Sequence, residues 1–173
     1  MSSLEGRPVA LQSKDMVRLL QMGVVIEEYA EEKSAYMLAD AFDGTTRNVL
    51  DESREESMEH RDMLLELIER HKSREIDEDR IESLVKKAIE STETRPESRN
   101  EALSKQRDSE MLAYSFYDNV VEALENYETD EVDETDEEIE EVIETVKEIR
   151  EDELEDAQKL EGMLDQDGGG KNE

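Results

Sequence analysis

The sequence predicts an all-α fold: a bundle of four long helices, with one long crossover between the second and third that carries a short extra helix. Three observations lead there. Apolar residues recur at helical spacing through most of the 173 residues, so the chain reads as amphipathic helix despite its polarity. Turn signals divide the pattern into four stretches of about 27 to 32 residues, each about 40 to 48 Å long at 1.5 Å per residue, which lets them pack side by side. A short link joins the first pair, and a much longer one, after Lys72, joins the two pairs.

Residues 1–12 read as a flexible arm ahead of a single domain, 13–165. Ser13 is the expected N-cap of the first helix, whose seam runs Met16, Leu20, Gly23, Glu27, Ala30, Ser34, Met37 and Ala41 until Asp43-Gly44 stops it. Because 3.6 does not divide seven, Val17, Val24, Glu28, Glu31, Ala35 and Leu38 form a competing stripe, and Glu27 is preferred over Glu28 as the inward acid. The second helix restarts at Gly44-Thr45-Thr46 and carries Leu50, Ser53, Ser57, His60, Leu64, Leu67 and His71.

The crossover contains a short helix capped by Asp77, with Ile81, Leu84, Val85, Ala88 and Ile89 as its apolar face. Pro96 suits the first turn of the third long helix, where its missing N–H costs nothing. That helix lines up Leu103, Gln106, Glu110, Ala113, Tyr117, Val120, Leu124 and Tyr127. An acidic loop follows, in which Thr135 and Glu138 make a capping box for the last helix. The last helix is expected to end near Asp165, with 166–173 a disordered tail.

Lys+Arg 21 against Asp+Glu 51 gives a formal net charge of -30 and a pI near 4.3. A helical protein with so acidic a solvent face fits a salt-rich cytoplasm, where screening removes most self-repulsion. The same charge repels nucleic-acid backbones and anionic membrane surfaces, so neither is expected as a partner. The absence of cysteine excludes disulfides, thiol catalysis and Cys-ligated zinc or iron–sulfur centres. No apolar run approaches the length of a membrane span, and the first residues lack signal-peptide character.

The last helix raises the chemical question. Its seam, Ile139, Val142, Val146, Ile149, Glu153, Asp156, Leu160 and Met163, is apolar at both ends and acidic in the middle. Carboxylates inside a packed seam cost several kcal/mol each unless a proton, a cation or a metal offsets the lost hydration, roughly as for any buried ion. Spaced by three, the two lie on one helix face, about one turn apart, as two ligands to one ion would. Glu27, His60 and Glu110 occupy the middles of the other three seams. Singly, each has a plainer reading: a snorkelling carboxylate at a drifting boundary, or a core histidine. Together they define a candidate metal set of Glu27, Glu56, His60, Glu110, Glu153 and Asp156, with Glu56 included because it lies one turn before His60.

The two halves also echo each other. Glu27 and Ala30 align with Glu110 and Ala113, and Ser57 and His60 with Glu153 and Asp156. This pattern resembles the ferritin-like di-iron carboxylate proteins of the rubrerythrin or erythrin type, in which two helices give one Glu each and two give Glu-x-x-His. The resemblance covers residues 14–165. It implies that Glu27 and Glu110 match the single glutamates, His60 the first motif's histidine, and Glu153 the second motif's glutamate. Ser57 replaces the bridging glutamate, and Asp156 replaces the second histidine.

What the resemblance implies is iron, one ion or two, with manganese or zinc as alternatives, handling peroxide or dioxygen in oxidative-stress protection as a peroxidase or ferroxidase. Electrons would come from a separate donor, and the chain would form a homodimer. The alternative expectation is a non-catalytic bundle with a decayed site, acting as a structural or interaction module. There the acids would be relieved by protons, water, or an inward Arg61 or Arg107.

Overall fold

A computed structural model of the chain describes residues 13–38, 43–70, 78–93, 95–126 and 136–169. It is all-helical, with no strand among the described residues: α1 (Ser13–Leu38), α2 (Gly44–Arg70), α3 (Glu78–Thr92), α4 (Arg99–Glu125) and α5 (Asp136–Gly169). The expected arm, Ala41, His71, Asp77, Tyr127 and the Thr135 cap all lie outside the described residues, as does 170–173.

Local chemistry explains the helix starts. Asp43 accepts the Thr46 N–H at 2.8 Å and the Thr46 hydroxyl at 3.0 Å, so the residue expected to stop one helix caps the next. Those same bonds from Thr46 hold the Asp43 carboxyl below its ordinary range. Pro96, expected inside the first turn of the third long helix, instead precedes it. Ser98 is the N-cap of α4 and accepts from Glu101 N–H at 3.1 Å, while Glu101 reaches back to Glu97 N–H at 3.2 Å. A serine side chain in the extended cap geometry satisfies a free amide, which proline in the first turn cannot do. The last helix continues to Gly169, beyond Asp165. Glycine weakens a helix but does not block it sterically, so nothing before that point forces a stop.

Side-chain pairs give the directions of the helices. α1 and α2 run antiparallel, with Gly23 beside Leu64 and, further along α1, Glu27 beside His60. α4 and α5 do likewise, with Arg150 on Asp118 and Lys147 on Glu125. α1 faces α4 antiparallel, because Ser34 bonds Gln106 while Tyr117 reaches Gly23. α2 and α4 therefore point the same way, and the crossover must travel back along the bundle between them, as its length allows. Along it, α3 packs on α1 through Val85 and Ile89, with Leu84 exposed. Leu84 was expected on the apolar face. Among the described elements, short α3 packs chiefly on α1, and one neighbour buries a narrow stripe.

The core is split along the bundle axis. At one end Met16, Leu20, Val24, Leu64, Leu67, Tyr117, Val120, Leu124, Val142, Val146 and Ile149 pack together. At the other, Met37, Leu50 and Ala102 form one cluster, and Val49, Leu103 and Leu160 another. Between these apolar ends lies a buried polar layer.

Gly23 is where α1 comes closest to its neighbours. A Cβ there would sit 3.0 Å from Leu64 Cδ1 and 3.3 Å from the Tyr117 ring, so the glycine makes room for that tyrosine.

Candidate metal centre

All four long helices contribute to the polar layer. Glu27 from α1, His60 from α2, and Glu110 and Glu153 from α4 and α5 are 1%, 2%, 6% and 3% exposed. Four ionisable groups so dry must offset one another. The apolar clusters on either side exclude water, and the heptad spacing of each helix puts one polar position at the same level.

His60 is the hub. Its Nδ1 lies 3.1 Å from Glu153 Oε1 and 3.6 Å from Glu27 Oε1. Its Nε2 lies 3.0 Å from Asp152 Oδ2 and 3.6 Å from Glu56 Oε1. Burial alone would lower the imidazole pKa, but the hydrogen bond to Glu153 and the carboxylate of Glu27 outweigh it and push it up to about 12. In this arrangement the ring is a cation.

The carboxyl groups respond in the opposite sense. Burial raises Glu153 well above its ordinary value, and Glu110, its hydrogen-bonding neighbour, adds to the rise. Burial raises Glu110 as well, although bonds from Glu153 and Gln106 oppose this. The pair is therefore placed to share a proton. Gln106 donates to Glu110 Oε1 at 2.8 Å and accepts from the Ser34 hydroxyl at 3.1 Å, which fixes its amide. Tyr117 donates to Glu27 Oε1 at 2.6 Å. Burial raises the phenol well above its ordinary value, with Glu27 next among the causes, so it stays protonated as a donor.

One atom is left over. Glu27 Oε2 is buried and has no hydrogen-bond partner, a costly state for a carboxylate oxygen. Ligand atoms of Glu27, His60 and Glu153 all lie within 4.8 Å of one another, close enough to hold one ion. A second grouping, Glu56, His60 and Asp152, meets the same criterion on the other side of the ring. A third, Glu28, Glu32 and Glu82, is already served by cations: Arg61 is 2.5 Å from Glu28 and Lys86 2.7 Å from Glu82.

Of the residues singled out from sequence, Glu27, His60 and Glu153 converge on one point, and Glu110 stands beside Glu153. Glu56 does turn toward His60, and burial together with neighbouring Asp156 pushes its carboxyl up to about 9. Asp156 hydrogen-bonds to Glu56 and adds to the rise of Glu110, but is not one of the three that converge. Asp152 lies off the heptad seam and was not anticipated; the available signal was the second nitrogen of His60, which needed a partner on the facing helix. The inward cation expected as relief is also differently placed. Arg61 serves Glu28 and Glu31, and Arg107 serves Asp108 and Glu161, while His60 itself supplies the charge.

Comparison with known proteins gives no match to any family model, curated protein or solved structure.

Proposed function

We propose that this chain is a ferritin-like metal protein that holds one divalent transition-metal ion, iron first, between Glu27, His60 and Glu153. The unpartnered, buried Oε2 of Glu27 carries the reading, because the carboxylate that faces His60 through Oε1 has a second oxygen left unsatisfied among the described residues. One imidazole nitrogen with two carboxylates suits iron, manganese or zinc. Bound iron would supply the electrons for reduction of peroxide or dioxygen.

The chain's own residues would do the rest. Tyr117 would keep Glu27 oriented, and the Glu110–Glu153 pair would yield its shared proton as Glu153 becomes a ligand. The apolar ends would keep bulk water out. Ser57 cannot bridge two metals, and a neutral imidazole offers one lone pair, so the inner and outer groupings cannot both use His60 at once. Hence one ion. With no cysteine, electrons would come from a separate donor. Pairing of two chains belongs to the same proposal; exposed Val25 and Leu112 border a groove of about 420 Å³ between α1 and α4 that a second copy would cover.

Anaerobic Fe(II) titration, followed optically and by elemental analysis, tests this in the wild type and Glu153→Ala. Stoichiometric iron in the first and not in the second is expected; none in either removes the reading.

A second reading rests on the protons. Imidazolium His60 and the shared Glu110–Glu153 proton balance much of the cluster without a metal, as a non-catalytic bundle with a decayed site would. If Ser57→Glu with Asp156→His gains oxidase activity that the parent lacks, this second reading stands; an active parent excludes it.

A further inference from the structure

Among the described residues, one polar approach to the buried centre grades outward in exposure. On the α1–α4 side Tyr117, Gln106 and Ser34 are 1% exposed or less. On the α1–α2 side Arg61 lies across Glu28 and Glu31, with α3 packed outside. On the α4–α5 side Ala113 and Ile149 are closed apolar contacts. Between α2 and α5 the picture changes. There exposure rises stepwise outward from His60, through Glu56, whose side chain is 26% exposed, to Asp152, at 39%. Asp156 is half-buried alongside them. On the α2 side of this face stand the short, buried side chains of Ser53 and Ser57.

We infer that a divalent cation reaches the inner centre through this α2–α5 face, held in passage by Glu56, Asp152 and Asp156 and handed across the His60 ring to Glu27 and Glu153. The inference rests on the metal-binding reading above. Two features make the face a route rather than only a run of acids. His60 presents Nε2 to the outer carboxylates and Nδ1 to the inner ones, so one ring touches both. The unpartnered Glu27 Oε2 gives the path a destination. A row of acidic groups narrowing toward a dry interior, with Asp152 and Asp156 at its outer end, also concentrates cations and speeds their capture.

A residue that serves only the path changes arrival and departure together, whereas a ligand of the final site changes departure. Stopped-flow mixing of the full chain with Co(II), read by its visible bands, and chase of the loaded protein with a chelator measure the two rates. In Glu56→Gln/Asp156→Asn, both rates are expected to fall by about tenfold or more, with the dissociation constant moving far less than either. Glu56→Asp/Asp156→Glu, which keeps the charge, should restore much of both. The wild-type uptake rate should also drop steeply with ionic strength, and that of the neutral variant should not. Unchanged uptake in the neutral variant overturns the route, and so does a loss confined to the departure rate. No Co(II) bound by the wild type overturns the metal-binding reading itself.

Discussion

Tyr117 reaches from α4 to α1 and donates its hydroxyl to Glu27 at 2.6 Å, leaving the other oxygen of that carboxylate buried and without a partner. The hydroxyl also lies 3.4 Å from the Gly23 carbonyl. This pair sets the aim of the innermost acid, and it exists because Gly23 has no side chain to push the ring away.

Tyr117→Phe should therefore destabilise the metal-free protein by about 1–3 kcal/mol, the cost of leaving a buried acceptor unsatisfied. Urea denaturation followed by circular dichroism measures this. Gly23→Ala should disturb the same pair from the other side. Helix propensity favours alanine by about 0.8–1.0 kcal/mol, but the added Cβ at 3.0 Å from Leu64 forces a shift, so no net gain in stability is expected.

The pH dependence of the metal-free protein follows from groups whose values are raised on folding, Glu56 among them, from 4.5 up to about 9. His60 goes from 6.5 up to about 12, and Glu110 and Glu153 rise from 4.5. Each binds its proton more tightly in the folded state, so each stabilises most at low pH. For the glutamates the contribution is complete below 4.5 and declines as pH rises above it; for His60 it is complete below 6.5 and lost on passing about 12. Stability without metal should fall as pH rises above 4.5 and on through about 9, the Glu56 value, as the glutamates lose their share. Glu153→Gln, which keeps the shape without the acid, should flatten that fall; thermal melts across the range would show it.

Metal loading should reverse this trend. His60 must lose a proton to become a ligand, and so must Glu153, so ion binding releases protons and tightens as pH rises. Calorimetry in buffers of different ionisation enthalpy counts the protons directly. At a free metal concentration 100 times the dissociation constant, linkage predicts about 2.7 kcal/mol of added stability.

Removing the hub should be the most damaging single change. His60→Ala leaves Glu27, Glu153 and Asp152 facing one another without a cation, and breaking a buried pair in this way costs about 3–5 kcal/mol. Added transition metal should not restore the loss, because the nitrogen ligand goes with the ring. Denaturation with and without Co(II) is the check.

Charge on the outside makes a separate prediction. With a formal net charge of -30, helicity and stability should rise with KCl toward molar concentrations, where the Debye length is about 3 Å. A flat circular dichroism curve against salt would remove the salt-adapted reading.

Periodicity made most of the bundle legible. The seams of α2 and α4 are buried at nearly every position they name, and the long link after Lys72 implies a chain that must travel back before its third long helix. Legibility fails where helical geometry departs from the heptad. In α5 the buried position after Glu153 is Ala157, not Asp156, because the true repeat drifts against seven. Of Glu27 and Glu28, it is Glu27 that groups with His60 and Glu153, while Glu28 pairs with Arg61. Both are buried, since α1 faces α4 with one stripe and meets Arg61 of α2 with the next. Asp152 escaped notice because its role comes from the far nitrogen of a residue on another helix, which no spacing within α5 can reveal.

The donors of the polar layer are divided between two helical hairpins. Glu27 and His60 come from α1 and α2, while Glu110, Asp152 and Glu153 come from α4 and α5. Neither hairpin alone holds a complete set, so before they dock each acid remains hydrated and the ring has no partner from the opposite half. A chain nicked within the crossover would thus be two silent fragments, and the return of a cobalt spectrum on mixing them would time their reunion.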